Sequence, residues 1–325
     1  MGAKRLKHRD FRFYGLRESS EFRLKAISDE ALNVANLSVR LSKPEVDSMF
    51  YCLSLSMNLA IAPLEAIKES VLSGDLKNGS YQSWYGLFAR AVEALKTAED
   101  ALFLAFAGRY PSAFATLRRV FECIVNGALY HGLLSDEKRA NNSQLRMRGG
   151  TGSFAEYTDR ILKSQSDLRD TLIFEYAVTS SLEHENPPLY PPSVRSMLHQ
   201  LLDWQIFGEQ SQLQTRQFCD RVYESLYGNL SEPTHARLSS TYVWKVMSRA
   251  KDPHEAYGYH FNIEELKRFG KYFRLVVDFA VSLYIGSMMD QIREVAGEDC
   301  FRRYLPELQR EDKLLGLSRI MIEYL

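Results

Sequence analysis

Tyr110-Pro111-Ser112-Ala113-Phe114-Ala115-Thr116-Leu117-Arg118-Arg119-Val120-Phe121-Glu122-Cys123-Ile124-Val125-Asn126-Gly127-Ala128 is the stretch on which the fold turns. Set on a wheel at about 100° per residue, Phe114, Leu117, Phe121, Ile124, Val125 and Ala128 fall in one apolar sector, the mark of a helix with a buried face. Proline near its start suits the first helical turn, and the helix is expected to run to about Leu134. Arg118 lies inside the apolar sector and Glu122 at its margin four residues on, while Arg119 points to solvent. A guanidinium on a buried stripe requires a partner, because an unpaired buried charge is very costly. Two readings follow: an Arg118 and Glu122 pair that ties neighbouring helices together, or a polar pocket into which both project.

Outward from this helix the same periodicity recurs. Helices are expected over 29–41, from Pro44 and Glu45 through Met49, Leu53, Met57 and Ala60, and from about Tyr81 to Ala107, with turns near Gly74 and at Asn78-Gly79-Ser80 between the last two. A polar loop over 135–153 reads as a mobile connector; its Arg146-Met147-Arg148-Gly149-Gly150-Thr151-Gly152-Ser153 run lacks the preceding strand and the Gly-Lys-Ser/Thr of a nucleotide loop. One helix is then expected from Phe154 to about Glu185. Asn186-Pro187-Pro188-Leu189-Tyr190-Pro191-Pro192 reads as extended. Further helices are expected over Ser193 to Phe207, Gln212 to Leu230 with Phe218, Val222 and Leu226 along one side, and Pro233 to Ala250. A long helix follows from Leu266 to Val295, capped by Asn262, and then a helical tail over 299–325.

Composition agrees. The 325 residues include 45% apolar side chains but only 18 Gly and 10 Pro, too few turn formers for a chain of many short strands. The fold class expected is all-α: a multi-helix bundle of mostly antiparallel helices with long polar connectors. Four organisational segments are read: a basic arm over 1–28, a first helical half over 29–185, the proline-rich connector over 186–192, and a second half over 193–325 packed with the first as one domain. Residues 1–25 hold eight Lys or Arg against three acids, whereas the whole chain balances 41 basic against 41 acidic residues. A global pull on nucleic acid is therefore excluded, and any such partner is engaged locally.

Cys52, Cys123, Cys219 and Cys300 are widely scattered and read as small core hydrophobes. The basic N-terminus has no following apolar run, and Leu275 to Met289 is short and contains Asp278, so the expectation is a cytoplasmic protein with no membrane partner. Glu183-His184-Glu185 are adjacent on a helix and splay apart, and no Glu-x-x-His pairs recur on two helices, so neither metal nor other cofactor is expected.

The segment most suggestive of chemistry is Tyr227-Gly228-Asn229-Leu230-Ser231-Glu232-Pro233-Thr234-His235-Ala236-Arg237. Gly228 and Asn229 suit the end of one helix, Ser231 or Glu232 the cap of the next, and Pro233 its first turn. His235 then sits at a helix N-terminus, where free N–H groups favour a phosphate and disfavour imidazolium, leaving a neutral proton acceptor. Asn229, Ser231 and Arg237 lie within about a turn and are candidate phosphate ligands, with Tyr227 beside them. The plain alternative is a histidine packed at a tight interhelical turn.

The helix Ala113 to Glu122, paired with Tyr227, Leu230, Ser231 and His235 as Tyr-x-x-Leu-Ser-x-x-x-His, resembles a family of bacterial all-helical proteins. That family is itself similar to the HEPN (higher eukaryote and prokaryote nucleotide-binding) superfamily. The resemblance covers about 110–245. It implies a helical bundle, often a homodimer, and a metal-independent ribonuclease of a toxin or phage-defence system, with RNA as substrate and an antitoxin or other protein as partner. The superfamily signature is Arg, four to six residues, then His; here Asn229 stands where the Arg is expected, with five residues between it and His235. On this resemblance His235 is the catalytic acid or base in attack of a ribose 2′-hydroxyl on its 3′ phosphate. Arg118 or Arg237 offsets the developing charge and Glu122 completes the catalytic set. The competing class is a non-catalytic interaction or sensor protein in which Arg118, Glu122 and His235 form a structural polar cluster.

Overall fold

The computed structural model describes residues 20–72, 81–166, 168, 170–206, 216–231 and 261–310. These are α1 (Ser20–Leu41), α2 (Lys43–Leu72), α3 (Tyr81–Phe106), α4 (Tyr110–Ser135), α5 (Glu137–Asn141), α6 (Phe154–Ser164), α7 (Thr171–His184), α8 (Val194–Asp203) and α9 (Arg216–Val222). A π-helical turn (Tyr223–Gly228) leads directly into α10 (Asn229–Ser231), and α11 (Ile263–Arg310) follows further on. Among the described residues there is no strand, only isolated bridges between Arg146 and Ser153 and between Arg148 and Tyr190, and the all-α architecture stands. None of the described helices is long and apolar enough to cross a membrane.

α4 is the central element, and its sequence shows why. Val120, Leu117, Phe121, Ile124 and Val125 are all fully buried, each contributing roughly 1.5–3 kcal/mol relative to exposure. One side of α4 packs on α3, the most extensive helix pairing in the structure. There α3 presents Ala91, Ala94, Ala98, Ala101 and Ala105, all buried, at spacings of three and four. Side chains this small let two helix axes approach closely. On its other side α4 meets α11 through rings: Phe121 stacks on Phe279 at 5.0 Å, and Phe114 meets Phe269 edge-on at 5.5 Å. The Tyr110 hydroxyl fastens the two helix starts together, donating to Asn262 O at 3.0 Å and accepting from Asn262 N at 3.2 Å.

Asn262 caps α11 as its sequence implies, its Oδ1 accepting from the backbone N–H groups of Glu264 and Glu265. Asn262→Ala is expected to cost about 1 kcal/mol, read as a lower urea midpoint with an unchanged m-value. α11 itself runs unbroken to Arg310 rather than stopping near Val295. Its segment Leu275 to Met289 is core, with Val276, Val277, Leu283, Tyr284 and Met288 fully buried. Cys52, Cys123 and Cys219 are free and buried.

Three readings of the sequence need correction. The helix expected over 154–185 is two helices, because Asp170 caps α7 by accepting from Leu172 N at 2.7 Å and Gln165 ends α6. Residues 20–28, assigned to the basic arm, are already helical. The 135–153 connector is pinned: Leu145 and Met147 are buried, Arg148 and Tyr190 exchange both backbone hydrogen bonds, and Arg148 Nε donates to Pro191 O. The extended 186–192 segment thus serves as an edge on which that loop docks. The predicted turns at Gly74 and Asn78-Gly79-Ser80, the helix over 233–250 and the chain beyond 310 lie outside the described residues.

Candidate functional site

Arg118 projects from α4 on the apolar stripe and finds its partners there. Its Nε donates to Glu122 Oε1 at 2.8 Å, one helical turn on. Its Nη2 donates to the hydroxyl of Tyr227 at 2.6 Å, and that hydroxyl donates to the same Glu122 oxygen at 2.7 Å. The guanidinium carbon sits 4.7 Å from the Tyr227 ring centroid, close enough for a cation–π contribution. Arg119, its neighbour in sequence, faces solvent. The side chains of Arg118 and Glu122 keep 23% and 32% of their exposure, so this closed triangle of charge and phenol still reaches solvent.

Tyr227 is brought to the triangle by the π-helical turn, which widens the helix at Tyr223–Gly228; such turns recur at functional sites. The turn also lays Tyr223 on Tyr227, with ring centroids 5.1 Å apart and planes at 20°. Beneath them Phe218, Val222, Leu226 and Leu230 are buried, which is the apolar side expected for this helix. Arg195 of α8 lies 5.9 Å from the Tyr223 ring centroid and binds Asp220 Oδ1 through Nε at 2.9 Å and Nη2 at 2.7 Å. His199, one turn along α8, meets the same oxygen at 3.1 Å. A continuous ladder of Arg118, Tyr227, Tyr223 and Arg195 therefore joins α4 to α8.

The electrostatics follow from partial burial. Loss of solvation disfavours the charged form of Arg118, but Glu122 outweighs this and holds the guanidinium charged. For Tyr227, burial together with donation to Glu122 pushes the phenol up to about 12. A folded-state value above that of the unfolded chain, about 10, contributes stability that is complete below pH 10 and is lost as the pH rises towards 12. Tyr227→Phe is expected to cost about 1 kcal/mol at neutral pH. Urea denaturation at pH 8 and at pH 11 should show the gap between wild type and variant narrowing at the higher pH.

Of the residues singled out from sequence, the structure brings together Arg118, Glu122 and Tyr227. Asn229 and Ser231 follow on α10 with their side chains turned back on the helix: Asn229 Nδ2 donates to Ser225 O at 2.5 Å and Ser231 Oγ donates to Tyr227 O at 2.6 Å. Ser231 is buried and Asn229 partly so. His235 and Arg237 lie outside the described residues. Among the described residues no group of three or more His, Cys, Asp or Glu is placed to hold a metal ion.

Two groups of polar residues were not legible beforehand. One is the Asp220, His199 and Arg195 cluster, for which the only signal was the spacing of Asp220, Tyr223 and Tyr227 on one helical face. The other crosses three helices. Arg90 of α3 binds Glu175 of α7 at 2.9 Å and Glu93 at 2.6 Å, Arg119 reaches Glu93 at 3.3 Å, and the Cys123 thiol donates to Arg90 O at 3.6 Å. No protein-family model, curated protein or solved structure matches this chain.

Proposed function

We propose that this protein is a metal-independent endoribonuclease of the HEPN-like kind, acting in a toxin or phage-defence system. The observation that carries the reading is the half-buried Arg118, Glu122 and Tyr227 triangle, placed by a π-helical turn immediately ahead of the Asn229 to His235 segment. His235 follows Tyr227 by eight residues and serves as acid or base in attack of a ribose 2′-hydroxyl on its own phosphate. Glu122 and Tyr227 orient the Arg118 guanidinium, whose positive charge offsets the charge developing on the phosphate. Asn229 and Ser231, bound back onto their own helix, precede His235 in sequence, and Arg237 adds a second cation to the substrate. An isologous dimer sets two copies of the site against one RNA strand.

A second reading is favoured by one feature of the same cluster: the charge of Arg118 is already met by a carboxylate and a phenol. On that reading Arg118, Glu122 and His235 fix the register of α4 against the π-helical turn in a non-catalytic interaction or sensor protein. Incubation of the purified protein with total RNA in excess chelator separates the two. The nuclease reading expects degradation that grows with time and protein concentration; intact RNA under all conditions rejects it and leaves the structural one.

A further inference from the structure

Where α8 ends and α9 begins, a hollow of about 390 Å³ opens against α5 and the loop that follows it. Its size falls within the range of small-molecule sites. The junction of helix ends in a bundle is ordinarily filled by apolar side chains, yet among the described residues the lining here is polar except for one indole. It also lies on the far end of α8 from the Arg195 contact, so it is separate from the Arg118 cluster.

The wall is donor-rich: Arg139 is paired with Asp136, whereas Gln200, Trp204 and Arg216 hold donors with no partner among the described residues. Gln200 is 4% exposed. Its Oε1 accepts from Gln144 N at 2.9 Å and from Ser143 Oγ at 3.4 Å, which locks the amide in one orientation and leaves its NH2 group without a partner. Trp204 is 8% exposed, its ring is wedged against Gly132, and its indole N–H is buried with no acceptor. A buried donor left unpaired is costly and marks a place where an acceptor belongs. Gln205, next in sequence, holds a left-handed backbone with φ 57°, a conformation non-glycine residues rarely adopt outside functional sites and turns. Arg216 stands at the mouth from α9, exposed and in no ion pair with a described residue, with Arg139 opposite and Asp203 the one carboxylate among the described lining residues.

We propose that this hollow binds a small polyhydroxylated oxyanion, a phosphate ester or carboxylate of sugar size. Its anionic oxygens take the Arg216, Gln200 and Trp204 donors, and its hydroxyls donate to Asp203 and the carboxamide oxygens. The site is independent of the ribonuclease reading and gives the protein a metabolite ligand.

Isothermal titration of the full-length protein tests this with ribose 5-phosphate and gluconate as the two sources of the oxyanion, and with inorganic phosphate and acetate as bare anions. Saturable binding of one of the two polyhydroxylated ligands, tighter than its bare anion, is the expected result. Arg216→Ala, at an exposed position with no structural partner, should weaken it about tenfold or more with unchanged circular dichroism. Trp204→Phe, which keeps a ring but removes the N–H, should weaken it as well. Absence of saturable binding by either polyhydroxylated ligand overturns the proposal, as does equal affinity in wild type and Arg216→Ala.

Discussion

His235→Ala should leave RNA uncut. Removal of a positioned acid or base costs typically 10²–10⁴ in rate, and among the described residues no other imidazole is placed to substitute for it: His131 is buried in α4. His184 is committed to Ser180 O at the end of α7, and His199 to Asp220. Arg118→Ala should lose about 10²–10³ if the guanidinium steadies the phosphorane, and Arg118→Lys should recover little, because a lysine reproduces neither the fork to Glu122 and Tyr227 nor the ring contact. The readout is the initial rate of cleavage of a labelled RNA with helical content checked by circular dichroism. Undiminished cleavage by His235→Ala with its fold intact refutes the assignment.

The second large effect concerns stability. Arg90→Ala is expected to lower the unfolding free energy by about 3 kcal/mol at pH 7, since it strands Glu175, whose side chain is only 9% exposed. Burial already holds the Glu175 carboxyl above the ordinary range against the pull of Arg90. In the variant that opposing pull is gone and the carboxyl rises further. A carboxyl raised on folding contributes stability that is complete below its unfolded value and lost as the pH climbs through the folded one. The deficit of Arg90→Ala should therefore shrink on acidification and be largest at neutral pH and above. Replacing both groups by apolar residues of similar volume, Arg90→Met with Glu175→Leu, should cost much less than Arg90→Ala alone. A denaturant series at pH 5 and pH 7 on the three proteins measures both effects.

What the sequence carried, and what it could not, divides along physical lines. α4 was legible because its apolar sector is continuous and its single intruding charge had a natural partner at Glu122; local periodicity determines both. The cap at Asn262 was legible for the same reason. The break between α6 and α7 was missed because Asp170-Thr171 is a weak signal inside a long apolar pattern, although Asp170 makes the capping bond in the fold. The pinning of the 135–153 loop was invisible, since it depends on Tyr190 and Pro191, more than 35 residues away. Long-range partners of this kind leave no periodic trace. Tyr227 was singled out by its place in a motif, but its bond to Arg118 joins residues 109 apart and emerged only with the fold. The π-helical turn that makes the bond possible has no sequence signature.

The bond broken in the substrate tests the central proposal most directly. Attack by the adjacent 2′-hydroxyl, with no metal-held water, leaves a 2′,3′-cyclic phosphate on one fragment and a 5′-hydroxyl on the other. Mass spectrometry of a short single-stranded RNA cleaved by the purified protein in excess chelator should find these ends, and an otherwise identical oligonucleotide with a 2′-deoxy nucleotide at the cleaved position should stay whole. Fragments ending in 3′-hydroxyl and 5′-phosphate, or cleavage of the deoxy-substituted strand at that position, would contradict the account.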